Sequence, residues 1–131
     1  MSARAIVCVD DEAIQLLALK REIQRALGSR FLIETALDAA EALSLLDALV
    51  ADGVEIFMLV TDWLMPGMRG DELVITAKKK FPGLRSIVIT GQADEEAMRR
   101  CVEEGGALRI FGKPWKREEL LATIVGAEGG G

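Results

Sequence analysis

The 131-residue sequence predicts one α/β domain built on a parallel β-sheet covered by helices on both sides, and three observations carry that prediction. Short apolar runs alternate with stretches of helical periodicity, five times over. The runs are nearly continuous in hydrophobicity, as strands buried on both faces are. Polar residues collect where these runs end, and beyond the carboxyl ends of the strands is where open α/β sheets bind ligands.

Ala5-Ile6-Val7-Cys8-Val9 is the first strand and ends in Asp10-Asp11-Glu12. Leu16, Leu19, Ile23 and Leu27 recur at spacings of three and four, marking one apolar helix face, with Gly28 as its stop. Phe31-Leu32-Ile33-Glu34-Thr35 reads as the second strand. Asp38 and Glu41 then have capping-box spacing ahead of Leu43, Leu45 and Leu46. Ile56 to Thr61 is the most hydrophobic run and so the central strand, with Asp62 at its end. Pro66, Gly67 and Gly70 shape a loop before a helix from about Asp71 to Lys80, which Phe81-Pro82-Gly83 breaks. Ser86 to Thr90 is the fourth strand, ending at Gly91. The fourth helix is expected to start near Asp94 with Ala97, Met98, Cys101 and Val102 facing inward, and Gly105-Gly106 ends it. Leu108 to Phe111 is a short fifth strand, Lys113-Pro114 breaks it, and Leu120, Leu121, Ile124 and Val125 give the last helix its apolar side. The domain is therefore expected over residues 1–125, with residues 126–131 a flexible glycine-rich tail or a foreign remnant.

Composition narrows the chemistry. Histidine is absent, as is tyrosine, which removes Ser-His-Asp and Cys-His nucleophile systems, imidazole zinc sites and any role as a phosphohistidine donor. Sixteen Lys and Arg against 21 Asp and Glu give a formal net charge of −5, which argues against a nucleic-acid partner. The run Lys78-Lys79-Lys80 is read as the last turn of a helix complementing its dipole. No run approaches the roughly 20 apolar residues that span a bilayer, and the start of the chain has no cleavable signal pattern. A cytoplasmic protein without a membrane partner is expected, with Cys8 and Cys101 as buried free thiols.

The strand ends would gather Asp10, Asp11, Asp62, Thr90 and Lys113 into one pocket. Three facing carboxylates repel one another in a low-dielectric cleft, so either their pKa values rise or a cation joins them. A hard divalent ion such as magnesium suits all-oxygen ligands. A carboxylate can also be the nucleophile toward a phosphoryl group, with Lys113 as a point charge and the Thr90 hydroxyl as a donor. Taken singly, Asp-Asp-Glu is as well a helix N-cap, Asp62 a turn residue and Thr90 an ordinary strand end. The conjunction of types in this order is what carries meaning.

That conjunction resembles the receiver domain of bacterial two-component response regulators, over roughly residues 4–125. The matching pieces are VDDE at 9–12, TDWLMPGMRGDEL at 61–73, ITG at 89–91 and KPW at 113–115. The resemblance implies a flavodoxin-like, doubly wound five-stranded parallel sheet of order 2-1-3-4-5 with five helices. It implies that Asp62 is the phosphoacceptor, and that Asp10, Asp11, Asp62 and the backbone carbonyl of Leu64 hold Mg2+ (or Mn2+). Thr90, Gly91 and Lys113 would contact the phosphoryl group, and the bond before Pro114 would be cis. The implied partners are a sensor histidine kinase or a histidine phosphotransfer protein upstream and a target protein or linked output domain downstream. Oligomeric state stays open, with the face from helix four to helix five as the place where a dimer would form.

One position departs from the family. The aromatic residue usual three places before the lysine is Ile110 here, and strand alternation turns Phe111 to the opposite face. Thr90 is thus expected to move without the usual aromatic rotamer change. Leu64 and Gln92 flank the phosphoryl site, and apolar Leu64 cannot orient an attacking water. Two other readings remain at this stage. A haloacid-dehalogenase-like phosphatase needs a second acid two residues after its nucleophile, where Leu64 stands; a pseudo-receiver would lack the acids, Thr90 and Lys113.

Overall fold

The computed structural model describes residues 3–91 and 95–129. In chain order the elements are β1 (Arg4–Val9), α1 (Ala13–Leu27), β2 (Leu32–Ala36), α2 (Ala39–Ala51), β3 (Glu55–Asp62), α3 (Gly70–Lys80), β4 (Ser86–Thr90), α4 (Glu95–Glu103), β5 (Ala107–Gly112) and α5 (Arg117–Gly129). All four strand pairings are parallel, and the sheet order is β2-β1-β3-β4-β5. The expected doubly wound architecture is what the chain adopts.

Side-chain alternation along the strands feeds two apolar layers. Ile6, Cys8, Val60, Ile87, Ile89 and Phe111 face one layer with Leu16, Leu19 and Ile23 of α1 and Leu120 and Ile124 of α5. Val7, Val9, Leu59 and Val88 face the other with Leu46, Leu73, Val74 and Cys101, under α2, α3 and α4. Between β1 and β3 the register shifts after Ala5, and consecutive Phe57 and Met58 both enter the first layer. Cys8 and Cys101 are free and buried, and burial pushes their thiols up to about 12 and about 11.

Local signals place most boundaries. Asp38 accepts the Glu41 amide at 2.7 Å, capping α2. Lys78, Lys79 and Lys80 do occupy the last turn of α3, where Lys80 also reaches Asp47 at 2.7 Å. Gly106 takes φ 68° between α4 and β5, a left-handed conformation that glycine adopts without strain.

Three expectations need correction. Phe31 lies outside β2 yet is buried, its ring 4.8 Å from that of Phe57, so its burial comes from packing rather than from the sheet ladder. Val102 and Val125 face solvent, because α4 seats itself through Ala97 and Cys101 and α5 through Leu120 and Ile124, stripes too narrow to include them. The tail boundary also moves, since α5 continues to Gly129. There Ala127 is buried, its carbonyl accepts Arg85 Nη1 at 2.8 Å, and Glu128 pairs with Arg4 at 2.9 Å and Arg30 at 2.7 Å. Long-range ion pairs hold what composition alone marks as loose. The expected start of the fourth helix at Asp94 and the position of Gln92 lie outside the described residues.

Candidate functional site

The C-terminal edge of the sheet converges on three carboxylates. Asp10 directly follows β1 and is buried; Asp62 is the last residue of β3 and is buried; Asp11 is exposed. One oxygen from each of the three lies within 4.8 Å of the others. The Asp10 backbone is fixed by its amide bonding to the Ala36 carbonyl at 3.2 Å, and its Oδ1 accepts the Glu12 amide at 2.9 Å.

Electrostatics at this edge are uneven. Burial pushes the Asp10 carboxyl up to about 6; the Glu12 amide opposes that rise, the Asp62 charge adds to it, Lys113 opposes it and Asp11 adds to it. Lys113 Nζ lies 2.7 Å from Asp62 Oδ1, on a lysine 27% exposed. The same lysine's backbone amide donates to the Thr90 carbonyl at 2.9 Å, which joins the end of β4 to the segment after β5. Thr90 is itself buried as the last residue of β4.

A cleft of about 260 Å³ opens on this cluster, lined by Glu12, Asp62, Leu64, Gly91 and Lys113. Leu64 stands 66% exposed at its rim. The Lys113–Pro114 peptide bond is cis. Asp10 and Asp11 thus gather with Asp62, which lines the cleft together with Leu64, Gly91 and Lys113, while Thr90 is tied to this edge through its carbonyl's bond from Lys113. Ile110 and Phe111 do face opposite layers, Ile110 partly buried against the α4 side and Phe111 buried on the α5 side.

The loop after Asp62 is built more tightly than its sequence shows. The Thr61 hydroxyl donates to the Asp62 carbonyl at 2.9 Å, the Trp63 amide to the Ile89 carbonyl at 2.9 Å, and the Gly70 amide to the Trp63 carbonyl at 2.7 Å. A Cβ on Gly70 would sit 2.2 Å from the Asp62 carbonyl oxygen, so only glycine fits. Trp63 is buried and its indole donates to Asp71; Trp115 is half-buried against the α1–α5 layer and donates to Glu22 of α1 at 2.9 Å. In the sequence Asp71 marks only the start of a helix, because no local spacing rule links Trp63 to a residue eight places on.

The three carboxylates form an all-oxygen donor set that suits a hard divalent cation. Among the described residues no helix is long and apolar enough to cross a membrane.

Known proteins resemble this chain in sequence and in fold. The chain is 30% identical over 109 residues to hybrid signal transduction histidine kinase D of Dictyostelium discoideum, covering 82% of this chain and 7% of that protein. It is 28% identical over 124 residues to the sensor kinase CckA of Brucella abortus, covering 94% of this chain and 12% of that one. The chain therefore spans a small fraction of these relatives. The crystal structure of the signal receiver domain of an HD domain-containing protein from Pseudomonas fluorescens Pf-5 superposes with TM-score 0.85 at 25% identity, covering 99% of this chain and 97% of that one. The profile of the response regulator receiver domain matches residues 6–125, nearly the whole fold and every strand end that feeds the cleft, and the chain belongs to that family of two-component signalling domains.

Proposed function

We propose that Asp62 is the phosphoacceptor and takes its phosphoryl group from a phosphohistidine on a partner, a sensor histidine kinase or a histidine phosphotransfer protein. One observation carries this: the buried Asp62 carboxylate sits at the base of an open cleft, 2.7 Å from the Lys113 ammonium and beside two further carboxylates. An Asp62 oxygen forms the new O–P bond as the P–N bond to the donor imidazole breaks. The bonding pair stays on the imidazole nitrogen. Lacking histidine, the chain cannot supply the donor itself.

Asp10, Asp11, Asp62 and the Leu64 carbonyl would hold Mg2+ (or Mn2+), which when bound offsets negative charge on the phosphoryl oxygens. Lys113 exchanges its pairing with Asp62 for the arriving phosphoryl group. Thr90 and Gly91, at the end of β4, supply hydroxyl and amide donors to it. Ile14, Leu17 and Leu37 are 87%, 47% and 45% exposed on the elements bordering the acids and offer an apolar rim for the donor protein. With Leu64 where a second acid would be needed, turnover of external phosphomonoesters is not expected.

Phosphorylation then draws Thr90 toward the site and shifts β4 and α4, changing the surface from α4 to α5 through which a target, a linked output domain or a second copy is bound. Ile110 leaves this shift to the backbone, without an aromatic rotamer change. We expect residues 1–125 to contain all of this machinery and the protein to work in the cytoplasm. Mass spectrometry after treatment with acetyl phosphate and Mg2+ tests the central step. One phosphoryl adduct is expected on the wild type and none on Asp62→Asn; an adduct that survives in the variant overturns the assignment.

A further inference from the structure

Asp71 is a charged residue with no accessible surface, and the chemistry proposed for Asp62 leaves it unused. Its Oδ1 accepts the Trp63 indole N–H at 2.8 Å and Arg69 Nε at 3.0 Å, and its Oδ2 accepts Arg69 Nη2 at 3.0 Å. The Arg69 guanidinium also lies 5.4 Å from the Trp63 ring centroid, so the three side chains close on one another. Asp71 is not among the carboxylates that gather at the cleft. Its reach toward that cleft runs through Trp63, the residue next to Asp62.

Trp63 is held from two directions. Its amide is bonded to Ile89 of β4, one residue before Thr90, and its carbonyl accepts the Gly70 amide in the first turn of α3. Gly70 in turn packs against the Asp62 carbonyl too closely for any side chain. The indole bond to Asp71 adds a third tether, which fixes the ring and so limits how far the Trp63 backbone next to Asp62 can move. Charge-assisted bonds to a buried carboxylate are strong and costly to leave unmade, so this tether survives when a phosphoryl group brings new charge to Asp62.

We infer that Asp71 is a positioning residue for the phosphoacceptor: through the Trp63 indole, and braced by Arg69, it holds the Asp62 backbone in the orientation from which the carboxylate attacks. The inference rests on Asp62 being the phosphoacceptor. Small misplacements of a reacting group cost large factors in rate.

Phosphorylation by acetyl phosphate with Mg2+ is the test, followed as maximal rate and as the Mg2+ concentration at half-maximal rate. In Asp71→Leu the maximal rate at saturating Mg2+ is expected to fall about tenfold, a loss that added metal does not restore, and the Mg2+ midpoint rises as well because Asp62 and the Leu64 carbonyl are proposed ligands. Asp71→Asn, which keeps an acceptor for the indole, is expected to recover to within about threefold of wild type. Trp63→Phe keeps the ring, loses the donor and should follow Asp71→Leu, which keeps the test open if the leucine variant does not fold. Leu120→Ala, in the opposite core layer, loses stability without touching this cluster and should keep the wild-type maximal rate. A folded Asp71→Leu or Trp63→Phe at wild-type rate overturns the inference, as does an equal loss in Leu120→Ala. Labelled wild type with unaffected variants removes only the positioning role; wild type that takes no label removes the assignment of Asp62 and this role together.

Discussion

The Lys113 ammonium rests 2.7 Å from an Asp62 oxygen, so in the resting site a protein cation occupies part of the space that a phosphoryl group and a metal would share. Lys113→Ala is expected to have two effects of opposite sign. Mg2+ affinity rises, because one positive charge leaves a cluster of three acids, while phosphorylation by acetyl phosphate slows by about 10²-fold, the usual loss when one stabilising charge is removed from a transfer site. Isothermal titration calorimetry and the labelling rate measure the two separately.

Asp10 gives a pH prediction with a definite sign. Its folded carboxyl is raised from 3.8 to about 6, so between those values the folded state binds more protons than the unfolded one. Without metal, stability is therefore lost as pH rises from about 4 to about 6, and the cost is complete above that. Asp10→Asn should stabilise the metal-free protein at pH 7.5 by about 1–2 kcal/mol and flatten the pH profile in this window. With saturating Mg2+ the order should reverse, since the wild type alone gains the full linkage to metal. Urea unfolding with and without a chelator reads both.

Gly70→Ala places a methyl 2.2 Å from the Asp62 carbonyl oxygen and 2.8 Å from Trp63 Cα, both backbone atoms. The expected cost is about 2–4 kcal/mol in unfolding free energy, and if Asp62 accepts the phosphoryl group phosphorylation slows too, because the strain falls on the Asp62 peptide.

The end of α5 gives a fourth prediction. Truncation after Val125 removes the Ala127 carbonyl that Arg85 caps and the Glu128 carboxylate shared by Arg4 and Arg30. A loss of about 2–3 kcal/mol is expected in urea unfolding, since a partly buried, twice-paired carboxylate and a capped carbonyl go together. A loose tail would give no change.

Strands and sheet were legible because covered parallel strands advertise themselves as unbroken apolar runs. The site was legible for a related reason: Asp10, Asp62, Thr90 and Lys113 each interrupt or follow such a run. What escaped depends on contacts that no local pattern encodes. Glu128 lies among glycines and becomes ordered only because Arg4 and Arg30 come to it from the other end of the chain. Val102 fits the α4 period but lies just beyond the narrow stripe that Ala97 and Cys101 seat. Asp71 looks like any acid in a first helical turn until the fold brings Trp63 onto it.

Each helix dipole is compensated at one end or both, with acids in the first turns of α2, α3, α4 and α5 and bases in the last turns of α1, α3 and α4. In a parallel βα fold every helix runs back against the strands, so a rule obeyed one helix at a time separates charge across the whole molecule. Negative residues collect at the pole that bears Asp62, while at the other Arg4 and Arg30 are balanced by Glu128 and Lys80 by Asp47. The net charge of −5 conceals this polarity. A phosphodonor with a cationic face would be turned toward the acidic pole before contact, and its arrival would slow as added salt screens that field.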